Sequence, residues 1–271
     1  MNSLLLNTDG VQIPQLGFGV WQVPDHAAEQ AVTTAFANGY RHIDTAALYH
    51  NEEGVGRAVR ASGLPREKVF VTTKLWNDGH EHAERAFDES LLRLGLDHVD
   101  LYLIHWPAPK NDKYVQAWRT LEKIYRDGRT RAIGVSNFGI AHLQRLMDET
   151  DIVPSINQIE LHPNLPQKEL RAFHTANGIL TEAWSPLGQG KGLLEDPALA
   201  ALADKHGRSP AQIVLRWHIQ LGNVVIPKSV TPSRIKENIN VFDFILDHED
   251  LAAIGALSNG RRLGPDPETF N

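Results

Sequence analysis

The feature that most constrains this chain is an alternation of short apolar runs with amphipathic segments, repeated about eight times. The runs at 15–18, 41–43, 69–73, 99–104, 132–135, 155–159, 179–183 and 223–226 read as strands. Helical patterns lie between them. In Asp25 to Asn38, residues Ala28, Val32, Ala35 and Phe36 share one face, and Gly39 ends the helix. The others span 52–61, 82–94, 114–127, 140–149, 167–176, 210–220 and 232–239. Such alternation implies parallel pairing through right-handed crossovers. Ahead of it, Leu4 to Ile13 reads as a small hairpin turned by Asp9-Gly10. An open doubly wound sheet would alternate too, but binding a dinucleotide there requires a Gly-rich fingerprint after the first strand. Gly17-Phe18-Gly19 and Gly54-Val55-Gly56 both lack the third glycine, and there is no P-loop. The expected fold is therefore α/β, a single (β/α)8 TIM barrel with an N-terminal β-hairpin, occupying 1–271 as one domain. The 271 residues sit close to the ~250 such a barrel needs.

Composition narrows the function. A net charge of −6 offers no basic surplus for nucleic acid or an anionic membrane. The absence of cysteine excludes disulfides, thiolate catalysis and Cys-ligated zinc. Leu4-Leu5-Leu6 is too short for a signal-peptide core, and nothing approaches a ~20-residue membrane span. A cytoplasmic protein is expected, with nothing in the sequence demanding more than a monomer. The 13 histidines invite a metal hypothesis. However, His80 and His82 are two apart and face apart on a helix start, while His42, His105 and His162 lack an accompanying carboxylate motif, so no metal is expected.

Unusual polar residues recur just after the strands, namely Asp44, Lys74, His105, Ser136-Asn137, Trp184-Ser185 and Lys228-Ser229, with Gln158 at the end of the sixth. In a parallel barrel these positions converge on one rim, where barrel active sites form. Singly each is an ordinary loop residue; together they mark a site. Asp44, Tyr49, Lys74 and His105 form a chemically coherent set. A phenol is a poor acid at neutral pH, with a pKa near ~10, and an adjacent ammonium lowers that value. A carboxylate holds the ammonium charged, and the phenol can then protonate a nascent alkoxide. A neutral imidazole can orient the substrate oxygen. A plainer reading makes Asp44–Lys74 a buried ion pair, Tyr49 a loop anchor and His105 a satisfied core histidine. Trp21, Trp76 and Trp106 follow strands near the same rim and are suited to wall an apolar pocket, whereas Trp118 and Trp217 fall within helices and read as core.

The segment Gly39-Tyr40-Arg41-His42-Ile43-Asp44-Thr45-Ala46, with Tyr49 and Asn51-Glu52 after it, resembles the aldo-keto reductase signature. So do Thr73-Lys74-Leu75-Trp76, Asp100 to Pro107, Ile133 to Phe138, Asn157 to Pro163, Ser185-Pro186-Leu187-Gly188, and Ile226-Pro227-Lys228-Ser229 continued by Arg234, Glu237 and Asn238. The resemblance covers nearly the whole chain. Within the family it is nearest the bacterial 2,5-diketo-D-gluconate reductase type, on Thr73 to Asn77, Pro186 to Lys191 and Val241 to Phe244.

It implies an NADPH-dependent carbonyl reductase acting on aldehydes, ketones or dicarbonyls, keto-sugar acids among them. By the same resemblance Tyr49 is the proton donor, Lys74 and Asp44 tune it, and His105 orients the substrate. Ser136, Asn137 and Gln158 would bind the nicotinamide carboxamide, Trp184 would stack on its ring, and Ser185, Leu187 and Gly188 would meet the pyrophosphate. Val20 and Trp21 would touch cofactor or substrate. Lys228, Ser229 and Arg234 would hold a 2′-phosphate, with Glu237 and Asn238 at the adenine. Thr231-Pro232 also reads as N-cap and first residue of a helix, which puts Arg234 among free N–H groups suited to phosphate. The short loop 189–196 and short polar tail 261–271 imply an open site for small or hydrophilic substrates, although the tail could reach over it.

Three other readings compete. Glu160 and Glu182 lie near two strand ends, as in barrel glycoside hydrolases. Lys74 could form a Schiff base. The chain could also be a non-catalytic NADPH sensor. The first leaves Lys74, Tyr49 and the 228–238 cluster without a role.

Overall fold

The computed structural model describes residues 3–5 and 10–271. Strands β1 (Ser3–Leu5) and β2 (Gln12–Pro14) pair antiparallel as the expected hairpin; Asp9 of its turn lies outside the described residues. Eight parallel strands follow: β3 (Phe18–Gly19), β4 (His42–Asp44), β5 (Phe70–Leu75), β6 (Val99–Ile104), β7 (Thr130–Ser136), β8 (Ile156–Glu160), β9 (Leu180–Trp184) and β10 (Val224–Val225). Each bonds its neighbour in chain order. The ends then meet: Leu16 bridges Val225, Gly17 N–H donates to the Val225 carbonyl at 2.9 Å, and Val225 N–H donates to that of Gln15 at 2.9 Å. The sheet is thereby closed, and the expected barrel is borne out.

The helices outside it are α1 (Asp25–Ala37), α2 (Glu52–Ala61), α3 (Ala83–Leu94), α4 (Tyr114–Arg126), α5 (Ile140–Glu149), α6 (Lys168–Ala176), α7 (Pro197–His206), α8 (Pro210–Gln220), α9 (Pro232–Ile239) and α10 (His248–Gly255). Eight match the periodic segments to within a residue or so at their ends. α7 and α10 have no counterpart in the sequence reading. Their caps are visible in retrospect: Asp196 accepts from Ala198 N–H at 2.9 Å, and Asp247 from Asp250 N–H at 2.9 Å. A scheme of one helix per strand has no place for them, since α7 and α8 both follow β9 and α10 follows the last crossover. At α9 the cap position is Thr231 as expected, but its side chain makes no capping bond. His80 and His82 lie in a 3-10 turn, 77–82, ahead of α3.

Alternation along the strands sorts the core into two clusters. Val71, Tyr102, Ile104, Ile133, Val135, Ala183 and Val225 face outward and pack against the helices. Phe70, Leu101, Leu103, Ala132, Ile156 and Val224 face inward, joined by Val11 and Ile13 from the hairpin. The hairpin thus plugs the end of the barrel where the strands begin. Helices sit tightly where glycine permits: a Cβ on Gly56 would lie 1.9 Å from the Leu94 carbonyl oxygen of α3.

Candidate active site

Following the inward positions up each strand gives a gradient. Phe70, Thr72 and Lys74 succeed one another on β5; His42 and Asp44 on β4; Ile156 and Gln158 on β8; Leu180 and Glu182 on β9. Apart from His42, which lies level with Phe70, apolar residues fill the bottom and polar or charged ones the top. Several of the singled-out residues therefore end strands rather than follow them: Asp44, Ser136 and Trp184 are last residues, and β5 runs one residue past Lys74. The reason is register, since a side chain on the strand itself points into the barrel interior.

At the top, Lys74 spends all three N–H bonds. It donates to Asp44 Oδ1 at 2.7 Å, the Thr45 carbonyl at 2.9 Å and Tyr49 Oη at 3.3 Å. The buried ion pair of the plainer reading is real, but Tyr49 is its third partner and not a detached loop anchor. A 3-10 turn, 47–49, brings it there. Burial works against the ammonium, but the Asp44 carboxylate outweighs it, so Lys74 is held charged, above its ordinary value. For Tyr49 the expected downward shift is reversed. Burial raises its pKa and outweighs the pull of Lys74, with Asp44 adding to the rise. The phenol is therefore kept protonated. His105 lies 5.6 Å from the Tyr49 ring, 5.2 Å from Trp76 and 6.5 Å from Trp106. Burial first, and then the Lys74 charge, holds its imidazole far below its usual pKa, so it is neutral, as anticipated. Among the described residues neither ring nitrogen of His105 makes a hydrogen bond.

A second set of bonds ties the rim together. Asn137, in left-handed conformation at φ 63°, donates to the His105 carbonyl at 3.0 Å and to Ser136 Oγ at 3.0 Å, and accepts from Trp184 Nε1 at 2.8 Å. Ser136 Oγ donates to the Gln158 carbonyl at 2.8 Å. Gln158 Nε2 donates to Asp44 Oδ2 at 2.8 Å and to Glu182 Oε2 at 2.9 Å. Ser185 and Gly188 form a tight turn, Gly188 N–H to the Ser185 carbonyl at 3.0 Å, with Leu187 packed on the core. Val20 is wholly buried in that core, its N–H donating to the Asp44 carbonyl at 3.1 Å and its carbonyl accepting from Asn51 Nδ2 at 2.9 Å, while Trp21 is exposed. Lys228 and Arg234 are exposed, and among the described residues neither makes a hydrogen bond or ion pair. Ser229 is occupied by Thr231 N–H at 3.1 Å, Glu237 accepts from the Ser209 hydroxyl, and Asn238 is buried.

The tail closes over part of the rim, which corrects the expectation of an open site. Glu160 accepts from Leu263 N–H at 2.5 Å, Gly264 N–H at 2.9 Å and His162 Nε2 at 3.0 Å. Gly264 passes so close to Trp184 that a Cβ would sit 2.5 Å from its ring. Phe270 packs 4.6 Å from Trp106 and 6.2 Å from Trp76, and Asn271 Oδ1 accepts from Lys110 N–H at 2.6 Å. Sequence reasoning passed over Phe270, although it is the one aromatic residue in the tail. The tail also borders a separate concavity of about 510 Å³ that includes Glu160, Lys168 and Arg262 but not Tyr49 or His105. Glu160 is thus consumed by the tail and Glu182 is sealed beneath Gln158, so the carboxylate pair of a hydrolase is not available.

The model of the Aldo/keto reductase family matches residues 15–259. The methylglyoxal reductase DkgA of Yersinia pestis is 55% identical over 271 residues, covering 100% of this chain and 98% of that protein. The chain belongs to the aldo/keto reductase family. Among solved structures, an aldo/keto reductase from Brucella melitensis aligns with TM-score 0.91 at 56% identity, over 95% of this chain and 98% of that one. A mutant of Gox0644 in complex with NADPH aligns with TM-score 0.95 at 45% identity, over 100% and 98%. The family resemblance and the TIM-barrel architecture are both borne out, and this aldo/keto reductase is an oxidoreductase that reduces carbonyl groups.

Proposed function

We propose that the protein is an NADPH-dependent reductase of small aldehydes, ketones and dicarbonyls, with Tyr49 as the proton donor. The observation that carries the reading is the 3.3 Å contact of Tyr49 Oη with Lys74 Nζ beside a neutral His105. When bound, NADPH supplies a hydride to the carbonyl carbon. The residues fit that cofactor: the free cationic ends of Lys228 and Arg234 suit a 2′-phosphate, with Arg234 in the first turn of α9. Trp184, fixed by Asn137, offers a flat face for the nicotinamide.

As the carbonyl oxygen becomes an alkoxide, Tyr49 gives it its phenolic proton, and the Lys74 ammonium stabilises the phenolate left behind. Water then returns the proton. His105 donates to the same oxygen and orients it, and Asp44 keeps Lys74 charged and in place. Trp76, Trp106 and Phe270 make the pocket apolar and narrow, which suits compact substrates. The relative named methylglyoxal reductase supports a dicarbonyl, and keto-sugar acids belong in the same trial. The test follows loss of reduced-nicotinamide absorbance over methylglyoxal, keto-sugar acids and simple aldehydes, with NADPH and NADH in parallel. Turnover of dicarbonyls with preference for NADPH is expected; no turnover of any carbonyl would overturn the reading.

A further inference from the structure

Glu182 has no part in the chemistry above, yet it is a carboxylate with 0% exposure inside a closed barrel. Its neighbour across the ladder, Gln158, is paired with it in register. One side-chain nitrogen of Gln158 serves both Asp44 Oδ2 and Glu182 Oε2. An amide has two N–H bonds, and here each carboxylate takes one. This fixes the flip state: reversing the amide would set its oxygen against the Asp44 carboxylate. Gln158 Oε1 is left over, with no hydrogen bond among the described residues, as an acceptor.

The groups around Glu182 are few. Asp44, Lys74 and Tyr49 lie above it, and His42 Nε2 is 3.8 Å from Oε1. His42 is bonded to Thr72 at 3.1 Å and held neutral, its pKa pushed down to about 3 by burial. On the other side β10 presents Val224. The enclosed charges are one ammonium and two carboxylates, so the set is neutral only while one carboxyl keeps its proton. Glu182 is that carboxyl: burial first, then the Asp44 charge, pushes its pKa up to about 8. Once ionised it favours the protonated forms of both Tyr49 and Lys74.

We propose that Glu182 is a positioning residue for the reduction. Through the shared Gln158 amide it locks the Gln158 oxygen as acceptor for the nicotinamide carboxamide and sets the charge behind the Asp44–Lys74–Tyr49 chain. This rests on the proposed role of Tyr49. Burying a carboxyl group is costly even when it keeps its proton, and an apolar residue would fill the barrel more cheaply, which leaves Glu182 to be explained by what it holds.

The experiment compares the pH profile of kcat/KM for methylglyoxal reduction in the wild type, Glu182→Gln and Glu182→Leu, together with the Kd for NADPH. Reduction needs Tyr49 protonated, so its alkaline limb reports that group. In Glu182→Gln the negative charge that forms above pH 8 is gone, and the limb should move to lower pH by roughly half to one unit. In Glu182→Leu the amide loses one of its two anchors, and NADPH should bind roughly three- to tenfold more weakly. A purely structural Glu182 would change the unfolding temperature and leave the profile in place. A Glu182→Gln profile coinciding with the wild type overturns the proposal, and this variant is isosteric should the leucine variant fail to fold. Failure of the Tyr49 reading is seen separately, in a Tyr49→Phe enzyme that still turns over with Glu182 intact.

Discussion

Lys74 is the residue on which the arrangement turns. It is fully buried, and its ammonium is shared by a carboxylate, a carbonyl and a phenol. Replacing it with methionine strands Asp44 as an unpaired buried charge, at a cost of about 3–5 kcal/mol. Lys74→Met should therefore show a large loss in urea unfolding, and adding Asp44→Asn should restore part of it while activity stays lost. Equal stability of the single and double variants would mean that Asp44 is already neutral. At this scale the sequence was highly legible, because Asp44, Tyr49, Lys74 and His105 carry chemistry in their side-chain types. The direction of the Tyr49 shift was not legible. It depends on how completely the phenol is removed from water, and only the closed pocket decides whether burial or the ammonium wins.

Among the elements, the C-terminal tail is the one whose place the sequence left open. Its course is set by long-range contacts that no local pattern encodes: Glu160 binds two of its amides, Gly264 slides against Trp184, and Phe270 lands on Trp106. Helices with a clear apolar period, such as α2 and α5, were read to the residue, while α7 and α10 were missed because the eightfold count has no slot for them. If the tail narrows the pocket, Phe270→Ala should raise KM for methylglyoxal and raise kcat/KM for bulky aromatic aldehydes relative to it. Glu160→Gln should do the same more mildly, since Leu263 and Gly264 bond different oxygens of Glu160 and the amide replaces one of these with an NH2 donor. A pair of variants with wild-type selectivity would show that the tail plays no part in choosing substrates.

Taken whole, the molecule buries several imidazoles in neutral form. Burial pushes His42, His174 and His218 down to about 3 and His80 to about 4, and burial first also holds His105 well below its usual value. Unfolded, each takes up a proton near pH ~6.5. Below that pH the unfolded chain binds more protons, so these five groups stabilise the fold above about pH 6.5 and lose that contribution as pH falls. Each is worth up to about 1.4 kcal/mol per pH unit. Glu182 works in the opposite sense: its contribution is full below its ordinary value of 4.5 and is lost as pH rises through about 8. Asp44, which burial also raises, acts in the same sense, but two carboxyls do not offset five imidazoles, so the unfolding temperature should drop steadily between about pH 6.5 and pH 5. A flat temperature across that window would contradict their neutral burial. The barrel itself was legible from alternation taken with the missing Gly-rich fingerprint, whereas its inner gradient from Phe70 to Lys74 and from Leu180 to Glu182 emerges only once register is known. That gradient sets a phenol against an ammonium at the open end, and the claim is tested most directly by a single turnover. NADPH-saturated wild type and Tyr49→Phe are mixed with methylglyoxal, the loss of reduced-nicotinamide absorbance is followed, and the Kd for NADPH is measured alongside. The account predicts nearly equal NADPH affinity and a rate at least ~10²-fold lower in the variant; a near-wild-type rate at equal affinity would contradict it.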